Sequence, residues 1–387
     1  NLKKVYMFNF ERENTGLIAK WWRNIDKQIL IMFIFLFLLG LFFSFSSTTS
    51  IMSEKMNKQT YFFFAKHLVF VSISLLLIVT ISVQEKNKLV KILILLFIVS
   101  VIILALVHVF GVEIKGSKRW VGFPFLPIFQ PVELVKPLFI IFVAKIIALD
   151  EKNNIYKRYL YSFLVLLLIV IFLINQPDLG QSLLLMSAWV TMIFASGFNM
   201  IILSVLGLLF ISIIALVIFF SPEKFGYILL RIKTFLDPKA GDNFQSQKAL
   251  DAIKQGGLTG QGMGEGILKD KVPEAHTDYI IAVISEEFGA IFVLFIAIIF
   301  LFIGYKVMNK IFLEKDEFLK LALVGLISLL IIQTFIHIGV NTRLLPTTGM
   351  TLPFLSYGGS SLIGSSIIAG IILNFTRKDS SRYLKNE

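Results

Sequence analysis

The chain contains no cysteine among its 387 residues. Disulfides and thiolate metal sites are therefore excluded. Charge is scarce, at 16% of residues, and acids are outnumbered: 25 Asp and Glu against 37 Lys and Arg. There are 4 His and 10 Pro, and no Lys-Ser/Thr ending follows any glycine-rich loop, so a phosphate-cradling P-loop is excluded. The glycine-rich stretch GLTGQGMGEG, 257–266, reads as a flexible loop whose backbone amides are the alternative for meeting an anion. The net charge of +12 raises the question of nucleic acid. No folded basic domain is long enough to carry that role, and the simpler reading is basic loops meeting anionic lipid heads.

Hydrophobic residues make up 56% of the chain, with 39 Phe and a mean hydropathy of +0.82. A polytopic membrane protein has this composition. Ten apolar runs stand out: 28–47, 62–83, 91–110, 132–149, 158–175, 179–196, 199–220, 279–303, 318–340 and 360–376. In lipid the backbone finds no water, so each run is expected to be a helix. The first follows a basic stretch, 1–27, but is too long for a signal peptide and is read as an uncleaved span. The sequence begins at Asn1 rather than Met, which leaves missing N-terminal residues open. With 1–27 and 377–387 as cytoplasmic tails, the inner segments hold 19 Lys and Arg and the short outer loops 6, as the positive-inside rule asks. The expected fold is thus all-α and integral to the membrane. It has about ten transmembrane helices, both termini inside, and a large extracytoplasmic loop, 221–278, between helices 7 and 8 in a membrane domain spanning 28–376.

The chemistry-bearing residues collect in the expected outer segments. In PEAHTD, 273–278, Asp278 stands where the large loop becomes a span. It can cap that helix, and a carboxylate half out of water can also act as a general base. Glu286 and Glu287 follow inside the apolar run, where a charge is costly and needs partners. They are expected to face the bundle interior as structural polar support, with Glu286 the better placed to shape the site. QPVELVKP, 130–137, puts Glu133 and Lys136 on one helical face. The preceding GSKRW, 116–120, is either an interfacial anchor or an anion site built on Lys118 and Arg119. In NQPDLG, 175–180, Asp178 begins the next helix. His337 reads as a packed histidine. Pro346 and Pro353 break the approach to the last span, whose paired glycines and serines, 358–361, allow close backbone approach.

Taken together, these stretches resemble the SEDS family of polytopic peptidoglycan polymerases, whose members include RodA, SpoVE and FtsW. The resemblance covers about residues 28–376. It rests on GSKRW with QPVELVKP, on NQPDLG, on Arg231 with FLDP (235–238), on Gln245, on PEAHTD and EEFG, and on PTTGMTLPFLSYGGSS. Ala275 and the paired serines look more like the FtsW branch. Val132, Pro137, Phe244 and the pair Lys248-Ala249 depart from the family pattern. The resemblance implies a glycosyltransferase that polymerises lipid II at the outer leaflet of a bacterial inner membrane, at the division septum. Asp278 would be its general base. Arg119, Glu133, Lys136, Arg231, Gln245, His276, Ser356 and Tyr357 would be its substrate-binding residues, with Asp178, Glu286 and Glu287 in support. It also implies a class B penicillin-binding protein and other division proteins as partners, a divalent cation (Mg or Mn) at the pyrophosphate with no defined ligand set, no nucleotide or organic cofactor, and no nucleic acid. Two other readings are a flippase for the same precursor and a non-catalytic division scaffold.

Overall fold

The computed structural model describes residues 16–48, 62–114, 116–122, 127–149, 155–220, 222–237, 244–268 and 271–378. Of the predicted tails 1–27 and 377–387, residues 1–15 and 379–387 lie outside the described residues. Each of the ten apolar runs is a helix. In chain order the helices are α1 (Leu17–Asn24), α2 (Lys27–Thr48), α3 (Phe62–Val83), α4 (Lys86–Phe110), α5 (Val132–Ile147), α6 (Ile155–Asn175), α7 (Leu179–Ala195), α8 (Met200–Phe220), α9 (Pro222–Leu236), α10 (Phe244–Gly256), α11 (Ile280–Leu313), α12 (Glu317–Asn341) and α13 (Gly359–Phe375). Six of them (α2, α3, α4, α6, α11 and α12) are long and apolar enough to cross a membrane. Among the described residues one small β-hairpin, β1 (Val112–Ile114) with β2 (Ser117–Trp120), is the exception to the helices.

The interior is built on the shorter helices. In α5 almost every side chain from Val132 to Ala144 is buried. Pro137 has no N–H to give the carbonyl of Glu133, and α13 comes closest there: a Cβ on Gly364 would stand 2.6 Å from Glu133 O. Small residues set the other contacts of α13. A Cβ on Gly370 would meet Ile81 of α3 at 2.9 Å. The open carbonyls at the end of α3 are taken by this last helix and the residues after it. Asn374 Nδ2 donates to Ile81, Ser82 and Gln84 O, and the Arg377 guanidinium to Ser82 and Val83 O. Between these helices lies an aromatic core in which Phe33, Phe37 and Phe300 surround Phe354 at ring separations of 5.3, 5.1 and 6.2 Å.

Two expectations are corrected here. Residues 221–278 are not simply a loop, since they contain α9 and α10. Helix α10 packs against α11 through its small face, Ser246, Ala249, Ala252 and Gly256, all buried. A Cβ on Gly256 would overlap the Ser285 carbonyl oxygen and stand 2.6 Å from Glu286 Cα. The eighth run is not one span from 279 to 303 either. Helix α11 continues to Leu313 and is broken at Gly289, which adopts φ 80°, ψ 172°. That region of backbone space is essentially reserved for glycine.

Candidate functional site

The break at Gly289 explains the two buried acids. Glu286 and Glu287 end the first segment of α11, where the helix dipole disfavours negative charge and carbonyls lack partners. The glycine-rich stretch supplies both needs. Gln261 N and Gly262 N donate to the carbonyls of Glu286 and Glu287 at 2.9 and 3.0 Å, and Ala290 N returns a bond to Gly257 O at 3.0 Å. Leu268 N donates to the Glu286 carboxylate at 2.7 Å, and Gly264 N to that of Glu287 at 3.2 Å. Ser46 of α2 also donates to Glu287. The stretch expected to be flexible is therefore pinned to α11 through three of its own amides, those of Gln261, Gly262 and Gly264, and through the carbonyls of Gly257 and Leu258.

A second polar cluster is buried between α5, α7 and α12. Lys136 Nζ pairs with Glu133 at 2.9 Å, and the two are 2% and 4% exposed. Gln333 Oε1 accepts from Lys136 at 3.1 Å, and Gln181 Nε2 donates to Glu133 at 3.0 Å. Next to it, Arg119 staples the turn before α7. Its Nε donates to Gln176 O at 2.8 Å, its other arm to Pro177 O, and it lies 3.8 Å from Asp178. Asp178 is the N-cap of α7, as expected. Burial pushes its carboxyl up, against the pull of Arg119. The resemblance makes Arg119 and Lys136 substrate-binding residues. Both cations are given to protein acceptors, and neither lines the cleft described next.

Asp278 is held from behind on three sides. Ser356 Oγ donates to Thr277 O at 2.7 Å, Tyr357 N donates to His276 O at 2.9 Å, and Asn341 Nδ2 donates to Asp278 O at 3.1 Å. The His276 and Tyr357 rings lie 5.7 Å apart. The capping reading of Asp278 is also corrected. The N-cap position of α11 is Tyr279, and Ala282 N in the first turn donates to Tyr279 O at 3.0 Å and to the side chain of Asn341, not of Asp278, with Oδ1 3.2 Å away. His337 is packed, as expected, with Nδ1 2.8 Å from Met350 O.

In front of Asp278 lies a cleft of two adjoining chambers. The inner, about 150 Å³, is lined by Asp278, Tyr279, Gly349 and Met350 together with Arg231, Gln245 and Thr347. Asp278 Oδ2 faces the Gly349 backbone, since a Cβ built there would stand 3.6 Å from it. The outer chamber, about 230 Å³, shares Arg231, Gln245 and Thr347 and adds Arg343 and Ser246. Burial, then the charge of Arg119, lowers the pKa of Arg231, which still leaves it cationic. The structure thus brings Asp278, Arg231 and Gln245 onto one cavity and sets His276, Ser356 and Tyr357 behind it. The clusters at Glu133 with Lys136 and at Glu286 with Glu287 do not line it, and neither does Arg119, although its charge reaches Arg231. Arg343, Asn341, Thr347 and Gln333 were missed from sequence. The available signal was a polar residue, Asn341, ending an apolar helix, with an Arg two positions on.

The chain matches the family model for the FtsW, RodA and SpoVE cell cycle proteins over residues 26–381. It is 35% identical over 283 residues to the probable peptidoglycan glycosyltransferase FtsW of Caulobacter vibrioides, covering 73% of this chain and 71% of that one. To its counterpart of the same name in Geobacter sulfurreducens strain DL-1 / KN400 it is 31% identical over 377 residues, covering 94% and 98%. A chain of a solved peptidoglycan synthase complex, described as coordinating polymerization and crosslinking, superposes with a TM-score of 0.74 at 23% identity, covering 91% of this chain and 97% of that one. The match along nearly the whole chain places this protein in the FtsW, RodA and SpoVE family of membrane-embedded cell cycle proteins.

Proposed function

We propose that the chain is a peptidoglycan glycosyltransferase that polymerises lipid II into glycan strands, with Asp278 as general base. One observation carries this reading: a carboxylate fixed through its own backbone faces a polar cleft whose other wall is cationic. The relatives named as peptidoglycan glycosyltransferases support it. In the reaction, the Asp278 carboxylate takes the proton of the acceptor sugar hydroxyl. That oxygen attacks the anomeric carbon of the growing strand. The bond from this carbon to the pyrophosphate breaks, and its electron pair leaves with the phosphate oxygen, whose charge Arg231 offsets. The leaving group carries the driving force, so no nucleotide is required. Among the described residues no cluster of three or more His, Asp or Glu side chains could hold a metal. A divalent cation would draw most of its ligands from the pyrophosphate, and no step here runs through it.

The substrate is lipid-linked, so the cleft belongs at the outer leaflet of the bacterial inner membrane with both termini in the cytoplasm. The FtsW names of the relatives favour septal synthesis during cell division, beside other division proteins. The complex described for the structural neighbour favours a class B penicillin-binding protein as the crosslinking partner. Transport of the same lipid is the weaker reading. Lys136, Glu286 and Glu287, the charges that would serve a translocation path, are engaged by groups of the protein itself.

The test is polymerisation of labelled lipid II by the purified protein, with its transpeptidase partner and a divalent cation, wild type against Asp278→Asn. Both must first be shown to fold and to bind the partner. Long glycan from wild type and none from the variant is the expected result. Equal glycan from both would remove Asp278 as the base. Lipid II translocation in liposomes without polymer from either would put transport first.

A further inference from the structure

The C-terminal turn of α12 carries an unexpected residue. Thr342 is the C-cap, and the next position, which commonly takes a left-handed conformation and a glycine, is Arg343 at φ 55°. The turn is firmly closed. Arg343 N bonds Val340 O at 3.1 Å, and Leu344 N and Leu345 N both bond Gly339 O, at 2.8 and 3.0 Å. A long charged side chain thus sits where backbone economy favours none. Its guanidinium makes no hydrogen bond or ion pair among the described residues, and those of Arg231 and the Gln245 carboxamide make none either. All three line the outer chamber of the cleft. Among the described residues no carboxylate lines that chamber, and Asp278 lines the adjoining one. Two forked cations on different elements, α9 and the turn after α12, face one cavity of about 230 Å³.

From this juxtaposition we infer that Arg343, with Arg231 and Gln245, forms a binding subsite for a pyrophosphate group beside Asp278. Each guanidinium can hold one phosphate through two parallel N–H donors, so two of them suit a bridged pair of phosphates better than a single one. The rim adds a reason for a lipid-linked pyrophosphate. Leu236 and Leu344, the residues adjoining the cavity-lining Phe235 and Arg343, are each 74% exposed and offer an apolar shoulder to an isoprenyl chain. This deepens the glycosyltransferase reading and rests on it for the ligand's place in the reaction. In that reaction the electron pair of the broken carbon–oxygen bond goes to a phosphate oxygen held between Arg231 and Arg343, while the acceptor's proton goes to Asp278.

The binding test does not require polymerisation. Full-length protein in detergent is titrated with farnesyl pyrophosphate, inorganic pyrophosphate and farnesol. Arg343→Gly removes the cation and suits the left-handed backbone, so its folding is not at risk. Arg343→Lys keeps the charge without the fork, and Lys157→Ala, an exposed position at the start of α6, is the control. Farnesyl pyrophosphate should bind wild type and the control alike, about tenfold more weakly to Arg343→Gly, and with intermediate strength to Arg343→Lys. Farnesol should bind no differently to any of them. Tighter binding of farnesyl than of inorganic pyrophosphate assigns the subsite to the lipid-linked form, and equal binding assigns it to the anion alone. Equal affinity of wild type and Arg343→Gly, or no binding by wild type, overturns the subsite. In the lipid II assay, Arg343→Gly should raise KM more than it lowers kcat. If wild type makes no glycan while the binding differences hold, the subsite stands and the polymerase reading falls.

Discussion

Gly289→Ala tests the latch between α11 and the glycine-rich stretch. A methyl group at this position meets two obstacles. The backbone at φ 80°, ψ 172° is strained for any residue with a Cβ, at about 1–3 kcal/mol. The Cβ would also overlap the Leu258 carbonyl oxygen and stand 2.6 Å from Gly260 N. Relief of that overlap moves the stretch away and breaks the bonds from Ala290 N to Gly257 O and from Ile291 N to Leu258 O, at about 0.5–1.5 kcal/mol each. The sum is roughly 2–6 kcal/mol. Two other glycines separate the contributions. Gly257 has φ 58° with nothing within 4 Å of its Cβ position, so Gly257→Ala carries strain without overlap. Gly256→Ala has no positive φ and carries overlap, with Ser285 and Glu286, without that strain. Hydrogen exchange of the amides of Gln261, Gly262 and Gly264, read by mass spectrometry in detergent, is the assay. At about 1.4 kcal/mol per decade, Gly289→Ala should speed that exchange by at least tenfold. Gly257→Ala should have a smaller effect. Equal exchange in Gly289→Ala and Gly257→Ala would refute the close approach as the source of order.

Two further outcomes follow from buried and capping charges. Lys136→Met should destabilise the protein by about 3–5 kcal/mol, because Glu133 is left charged and unpaired inside the bundle. The double variant Glu133→Gln/Lys136→Met should recover most of that loss in thermal unfolding, and failure to recover would mean that Lys136 acts mainly through Gln333. At the other end of the bundle, Asp26 accepts from Gln28 N and pairs with Lys310 at 3.0 Å. Burial alone would raise its pKa, but Lys310 and the amides of Ile29 and Gln28 outweigh it and hold the carboxyl below its usual value. A depressed carboxyl stabilises the fold above its unfolded pKa of about 3.9 and loses that effect as pH falls through the folded value. Asp26→Asn should therefore cost no more than about 1 kcal/mol at pH 7. The difference from wild type should shrink as pH falls below about 4. A gap that persisted in acid would point to lost packing instead.

The apolar pattern made the helices legible, and the i,i+3 spacing put Glu133 and Lys136 together correctly. Asp278 was legible as a carboxylate at the start of a helix. Other features had no local signature. The contact of Arg119 with Gln176, Pro177 and Asp178 joins residues 57 to 59 apart, largely through backbone carbonyls that sequence does not display. The order of the glycine-rich stretch was missed for a related reason. Glycines that permit mobility also permit close approach, and only the partner backbone decides which. Helix α10 was hidden because it buries Ser246, Ala249, Ala252 and Gly256 rather than large apolar residues. The break in α11 was concealed by a run of hydrophobicity that continues across Gly289.

The contact of Asn374 and Arg377 with the end of α3 has a consequence for biosynthesis. Helix α3 is made early, yet the groups that satisfy its terminal carbonyls are made after α13 begins to emerge from the ribosome. Until then the bundle has an unsealed seam between α3 and α13. Insertion can proceed helix by helix, but closure of the bundle waits on the final segment. A released chain that ends before Asn374 would therefore expose that seam to quality control, whereas one that extends past Arg377 would not.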